Sequence, residues 1–303
     1  MNGNSGIANH GGTVNVSQSA VGPGATVNVG YQGQARTDDP GKEPGRTGHA
    51  DVGVITILSE EARAVREVLD LHRVHAGTLT FFEGTVEEGG VTTRVASFQA
   101  LSMGQRSPVV AFDYLRRHYN PSIIALTGIG GGIGTDIAIG DVVITTRVVY
   151  YDLRKETPRG RLRRGEERES PAMVGHAVNS FFTDHGEPSA FRALDGHSAA
   201  HDFRVHRGLI GSGDAVIADA KSEIVRYLKA YNEKTLGVEM EAGGLTQAFH
   251  EQDGPHQVRG WVVVRGISDD ASQNKGYDHH DLAARHAATI LRALLPYLPI
   301  PRS

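Results

Sequence analysis

Trp261-Val262-Val263-Val264 is an apolar, largely β-branched run that gives way at once to Arg265-Gly266-Ile267-Ser268-Asp269. Such a run is best buried on both faces, as a parallel strand between helices. Two other segments share the pattern. Asp51 to Leu58 runs into Ser59-Glu60-Glu61, and Ile123-Ile124-Ala125-Leu126-Thr127 runs into Gly128-Ile129-Gly130-Gly131-Gly132-Ile133-Gly134. An α/β domain is therefore expected, with ligands at the carboxyl edge of its strands, where Arg265 to Asp269 meets solvent.

Carboxylates gather at that edge. Glu239 and Glu241 lie two apart after Leu236 and Val238, so an extended segment would put both on one face, and Ala242 to Phe249 can begin a helix. A carboxylate so placed matches a pair of adjacent ribose hydroxyls. Acids at a strand's end also cap helices, and a nearby Arg also pairs with them. Ser59 fits an N-cap, with Glu60 and Glu61 in the first turn of a helix reaching Leu69. Pro108 fits the early part of a helix that follows a turn at Ser102-Met103-Gly104. The glycine-rich turn lets backbone approach a ligand closely. It has no GxGxxG register and no following Lys-Ser/Thr, so it is neither a dinucleotide nor a triphosphate fingerprint.

With these motifs in this order, residues 51 to 297 resemble the nucleoside phosphorylase superfamily, and most of all its methylthioadenosine/S-adenosylhomocysteine nucleosidase branch. The resemblance implies a single three-layer α/β domain, its central twisted mixed sheet flanked by helices. It also implies hydrolysis of a purine base–ribose bond through an oxocarbenium-like transition state. Aligned from Gly53, Glu61 would hold and activate water, with Glu60 the competitor. Asp269, positioned by Ser268, would donate a proton toward N7 of the departing purine, and Arg265 would order the carboxylates. Glu241 would grip the ribose hydroxyls, with Glu239 and Met240 beside it in the substrate site. Ile129, Gly130 and Gly131 would contact substrate from the glycine-rich segment, and Val216 and Ile217 would meet the base.

Three departures bear on the chemistry. Ile129 stands where the family usually has a small or hydroxyl residue. Val216 replaces an aromatic that stacks on the base. Leu126 occupies the position of a phosphate-binding arginine in the phosphorylases, and losing it removes strong charge-assisted bonds. Water is thus favoured over phosphate as nucleophile, with a phosphate-dependent phosphorylase or a catalytically silent nucleoside-binding module as alternatives. A homodimer or higher homo-oligomer is expected.

The 303 residues, 39% of them hydrophobic, suffice for one large domain plus an appendage. A formal charge of −4 gives no reason to expect nucleic acid. Without cysteine, disulfides, thiolate zinc sites and a cysteine nucleophile are excluded. No apolar run nears the ~20 residues of a membrane span and no signal pattern opens the chain, so a cytoplasmic protein is expected. The 15 histidines show no HExxH spacing; His279, His280 and His286 fall in a polar carboxy-terminal helix region, and neither metal nor cofactor is expected.

Residues 1 to 50 contain no Leu or Phe and are rich in Gly, Asn, Ser and Thr. Thr13-Val14-Asn15-Val16 recurs as Thr26-Val27-Asn28-Val29, alternating β-branched and polar residues without a core. Stacked between chains, such segments would form Asn ladders and dry Val interfaces. Asn9 to Gly30 resembles bacterial amyloid signalling motifs, which implies a receptor partner and an effector role in signalling or defence; a disordered tail is the other reading. The expected division is a signalling segment at 1–30, a flexible linker at 31–50 and a catalytic domain at 51–300. Leu153 to Arg207, which carries Arg154, Lys155, Arg159, Arg161, Arg163, Arg164 and Arg168, reads either as solvated loops or as a basic lid over a nucleotide's phosphates.

Overall fold

A computed structural model describes residues 47–194, 200–254, 257–271 and 279–301. The leader and its repeated Thr-Val-Asn-Val lie outside the described residues. In chain order the elements are β1 (Val52–Thr56), α1 (Ser59–Val68), β2 (His72–Ala76), β3 (Leu79–Glu88), β4 (Val91–Gln99), α2 (Arg106–Tyr119), β5 (Ile123–Gly132), β6 (Val142–Thr145) and β7 (Arg147–Tyr150). There follow β8 (Arg154–Thr157), β9 (Gly160–Arg163), β10 (Glu166–Glu169), α3 (Ala172–His185), β11 (Ser189–Leu194), β12 (Ala200–Arg207), β13 (Leu209–Ser212), α4 (Glu223–Tyr231), β14 (Thr235–Glu239), α5 (Ala242–Glu251), β15 (Gly260–Asp269) and α6 (His280–Leu294).

The main sheet is mixed and runs β10-β7-β13-β14-β5-β1-β4-β3-β2, with β15 pairing both β5 and β6. At its centre β5 lies parallel to β1 and to β15, while its glycine end meets β14 antiparallel through Gly131 and Gly132. Period-two alternation sorts the apolar residues to the two faces. Val52, Val54, Ile123, Ala125, Val262 and Val264 cluster with Val65 of α1, Phe181 of α3 and Leu291 of α6. Ile55, Ile124, Leu126, Trp261 and Val263 cluster on the other face with Phe112 and Leu115 of α2 and Leu245 of α5. Each such side chain contributes about 1.5–3 kcal/mol on full burial, which fixes the register that brings the strand ends together.

Several expectations change. The glycine-rich segment is strand rather than turn through Gly132, because its glycines let other elements come close. A Cβ at Gly130 would stand 2.9 Å from the Val238 carbonyl, and one at Gly131 3.0 Å from Asp269 Oδ1. Arg265 to Asp269 does not meet solvent, since β15 continues through Asp269 and is buried along its whole length. The N-cap of α1 is Leu58, with Ser59 the first helical residue; the Glu61 carboxylate reaches back to the Leu58 N–H and takes over the capping. Glu239 ends β14 whereas Glu241 N-caps α5, so a turned chain and not one strand face brings the two together. His286 is buried against Phe203, their rings stacked at 3.9 Å, and does not lie on a polar surface.

The basic stretch is folded. β8 and β9 form a separate ribbon in which Arg154 and Arg161 both pair with Glu156. The Arg163 side chain, 6% exposed, lies between Asp152 and Glu223, and Arg168 bonds Glu166 at 2.7 Å. Among the described residues no helix is long and apolar enough to cross a membrane, and no group of His, Cys, Asp or Glu could hold a metal ion.

Candidate active site

The carboxyl ends of β1, β5, β14 and β15 converge with the segment after β13 on a cavity of about 420 Å³, within the usual range for small-molecule sites. Its walls are mostly apolar, from Ile57, Leu58, Met103, Ile129, Val216 and Ile217. Polar side chains enter from Glu60, Glu61, Glu239, Glu241, Ser268, Asp269 and His280.

Behind the cavity lies Arg265, 1% exposed. Its Nη2 donates to Glu239 Oε2 and to Glu241 Oε2, the latter at 2.9 Å, and its Nη1 stands 3.9 Å from Glu61 Oε1. Each carboxylate is also fixed by backbone. Glu61 accepts from the N–H groups of Ile57 (2.7 Å), Leu58 (2.9 Å) and Ile129 (2.9 Å). Glu239 accepts from those of Glu241 and Ala242 at 3.0–3.1 Å, so it caps α5 as well as pairing Arg265. Glu241 accepts from the Gly104 N–H at 3.1 Å, in the turn before α2.

Three carboxylates share one guanidinium, and two of them, Glu61 and Glu241, are shifted by the imbalance. Burial raises Glu61 above its ordinary value of 4.5, against the opposing pull of Arg265 and three backbone N–H groups. Burial, aided by the charges of Glu239 and Glu61, pushes Glu241 up to about 7 although Arg265 opposes it. Burial alone would lower Arg265, but the same carboxylates raise it, so it stays a cation.

Asp269 sits at the far end of β15. Its Oδ2 accepts from Ser268 Oγ at 3.1 Å and its Oδ1 from the Ala271 N–H at 2.9 Å. Opposite, Gln105 ties the start of α2 to the floor: its Nε2 donates to the Met240 carbonyl (2.6 Å) and to Ser212 Oγ (3.0 Å), and its Oε1 accepts from the Gly244 N–H (2.6 Å).

The structure brings Glu61, Ile129, Gly130, Gly131, Val216, Ile217, Glu239, Met240, Glu241, Ser268 and Asp269 to this one cavity and places Arg265 just behind it. Sequence reasoning did not assign Met103, Gln105 or His280 to the site; the first two come from the turn leading into α2 and His280 from the start of α6. Met103 and Gln105 flank the Gly104 N–H bound by Glu241; a long-range contact of that kind has no period or motif to reveal it. Glu60 and Glu61, the two candidates for the water-holding role, differ in setting. Glu61 is buried among backbone N–H groups beside Arg265, whereas Glu60 points along the rim to His280 Nδ1 at 3.1 Å.

Residues 51–296 match the sequence profile of the Phosphorylase superfamily. The chain belongs to that family. Among curated relatives, the 5′-methylthioadenosine/S-adenosylhomocysteine nucleosidases of Mycobacterium bovis and Mycobacterium tuberculosis are each 28% identical over 265 residues, 82% of this chain and 97% of theirs. Solved structures agree in fold. The Neisseria meningitidis nucleosidase in complex with methylthio-immucillin-A superposes with a TM-score of 0.60 at 23% identity, over 83% of this chain and 100% of that one. The Colwellia psychrerythraea nucleosidase in complex with adenine gives 0.62 at 20% identity, over 84% and 97%. As a superfamily member, the chain carries its cavity where open α/β sheets bind ligands, at the carboxyl ends of the strands.

Proposed function

We propose that this chain is a nucleosidase, an N-glycosyl hydrolase that splits a purine base from ribose in a nucleoside or nucleotide. The observation that carries the reading is the grouping of Glu61, Glu241 and Asp269 around one cavity in three different environments: Glu61 held by three backbone N–H groups, Glu241 beside Arg265, and Asp269 bonded by Ser268. Carboxylates with different jobs need different surroundings.

In the proposed reaction Glu241 accepts the ribose hydroxyls, Asp269 donates a proton toward N7 of the leaving base, and Glu61 orients water at C1′. Ser268 positions Asp269, and Arg265 keeps the three glutamates in place. Ile129, Gly130 and Gly131 form the wall beside the sugar, and Val216 and Ile217 that beside the base. Two features favour water over phosphate. Leu126 is fully buried in the core beneath α2 and α5, and no Lys or Arg occurs among the described residues lining the cavity. Incubating the protein with adenosine, methylthioadenosine, AMP and ATP, with and without phosphate, tests the reading. Phosphate-independent release of adenine, lost in Asp269→Asn, supports it; release only with phosphate, or none with any substrate, refutes it.

The same proposal divides the chain into a signalling segment at 1–30, a linker at 31–50 and the catalytic domain at 51–300, with the leader clustering catalytic domains on a receptor. The duplicated Thr-Val-Asn-Val supports it. A peptide of residues 1–30 is expected to form dye-binding fibres, and a peptide that stays monomeric counts against the effector role. Self-association of the catalytic domain is supported by the exposed apolar Leu101 and Met103 before α2 and Val109 and Val110 within it; a strictly monomeric protein in sedimentation counts against it.

A further inference from the structure

The proposed chemistry leaves one titratable pair of the cavity without a task. Glu60 lies in the first turn of α1 and His280 opens α6; both line the cavity, and His280 Nδ1 lies 3.1 Å from Glu60 Oε1. The side chains are 26% and 19% exposed, so the pair sits at the rim and not in bulk solvent. It is set in place by the packing of α1 against α6.

Its place in the sheet says which part of a substrate it meets. The loops after β13 and β1, which supply Ile217 and Glu60 to the cavity, leave strands three places apart in the order β13-β14-β5-β1, roughly 14 Å at the usual strand spacing. A nucleoside lying across that distance has three sets of polar groups: the base edge, the 2′,3′ diol and the 5′ substituent. On the reading above, Asp269 takes the base and Glu241 the diol. Glu61 takes water, and Glu239 is occupied with Arg265 and the α5 cap. Of the described polar side chains at the cavity, Glu60 and His280 remain for the 5′ substituent, beside the apolar Leu58 and Met103.

We infer that the Glu60–His280 pair is a specificity determinant that selects an oxygen-bearing 5′ group, a hydroxyl or a phosphate ester, over a thioether. A carboxylate bonded to one imidazole nitrogen fixes the ring's orientation and tautomer, so the ring meets the substrate in one defined hydrogen-bonding state. A 5′ oxygen can complete a hydrogen bond with that group. A thioether sulfur donates nothing and accepts weakly, and it leaves a polar rim desolvated without a partner.

The inference rests on the nucleosidase reading for the substrate's orientation, so its test separates the two. Calorimetric titration in the Asp269→Asn background measures binding of adenosine, AMP and methylthioadenosine whether or not any of them is turned over. Adding His280→Phe is expected to weaken binding of the 5′-oxygen ligands about 10-fold while leaving methylthioadenosine unchanged or tighter. His280→Gln, which keeps a polar terminus, is expected to retain most of the preference, and melting curves verify that each variant is folded. The adenosine and AMP arms tell a hydroxyl from a phosphate ester. A uniform loss across all three ligands, a ratio unchanged within about two-fold, or no binding by any of the three overturns the inference. Binding with the expected ratios but no adenine release by the wild-type chain overturns the nucleosidase reading and leaves the specificity determinant standing.

Discussion

Arg265→Met removes the cation that Glu61, Glu239 and Glu241 share, while keeping a buried side chain of similar length. The three carboxylates must then sit in a buried site without it or take up protons. Protonation sets the ceiling on the cost. From an ordinary value of 4.5, neutralising one glutamate costs about 5 kcal/mol at pH 8 and about 0.7 kcal/mol at pH 5. The wild-type chain already bears part of this, because burial pushes Glu241 up to about 7. The remaining penalty at pH 8 is about 3–5 kcal/mol, the usual cost of stripping one partner from a buried ionic cluster; at pH 5 it is on the order of 1 kcal/mol.

Scanning calorimetry reads that difference directly. For a domain of this size each kcal/mol moves the melting temperature by roughly 2–4 °C, so the variant is expected to melt roughly 10 °C below wild type at pH 8 and within about 4 °C of it at pH 5. Equal losses at the two pH values would mean that the penalty comes from packing rather than charge. A loss under about 2 °C at pH 8 would mean that the carboxylates do not depend on the guanidinium, and the electrostatic account of the site would fall.

Three further predictions probe single groups. Gly128→Ala would set a Cβ 2.6 Å from Arg265 Nη1 and closer still to Glu61 Oε1, so a destabilisation of about 1–3 kcal/mol in denaturant titration is expected, with loss of turnover. Glu241→Gln removes a group whose folded value is raised from 4.5 to about 7; such a group's contribution is full below pH 4.5 and lost as pH rises through about 7, so the variant's melting temperature should lack the corresponding fall, worth about 3 kcal/mol. Asp269→Asn is expected to lower kcat by about 10² to 10⁴ with its melting temperature little changed, as measured by adenine release.

The sheet's central strands were legible because burial on two faces leaves a continuous apolar run, as in Trp261 to Val264. The glycine-rich segment was legible as a place of close approach but not as strand. Glycine has little intrinsic preference for extended backbone, and pairing with β15 and β14 holds it there, so close to the Val238 carbonyl, Asp269, Glu61 and Arg265 that a Cβ on Gly128, Gly130 or Gly131 would collide. That carboxylates gather at the sheet's carboxyl edge was legible because each follows a strand pattern, whereas the roles proposed for Glu61, Glu241 and Asp269 come from the family resemblance. The Glu60–His280 contact spans 220 positions, and the Gln105 bridge to Gly244 spans 139. Neither spacing leaves a periodic trace, and both exist because α1 packs on α6 and α2 on α5.

The electrostatics of the site make sense when set against the proposed transition state. Three carboxylates facing one guanidinium carry a surplus of negative charge, and burial accordingly raises Glu61 and Glu241 above their ordinary value. A neutral nucleoside does little to relieve this. In the proposed reaction, departure of the base would make the sugar an oxocarbenium ion, with its positive charge at C1′ beside Glu61 and Glu241. Their unfavourable field would then become favourable, and no dipole would have to reorient for it. Interactions that strengthen only as the bond breaks raise kcat, whereas equal binding of substrate and transition state would only lower KM. The buried imbalance around Arg265 would thus cost the resting fold stability above pH 7 and lower the barrier of the proposed reaction by the same charges.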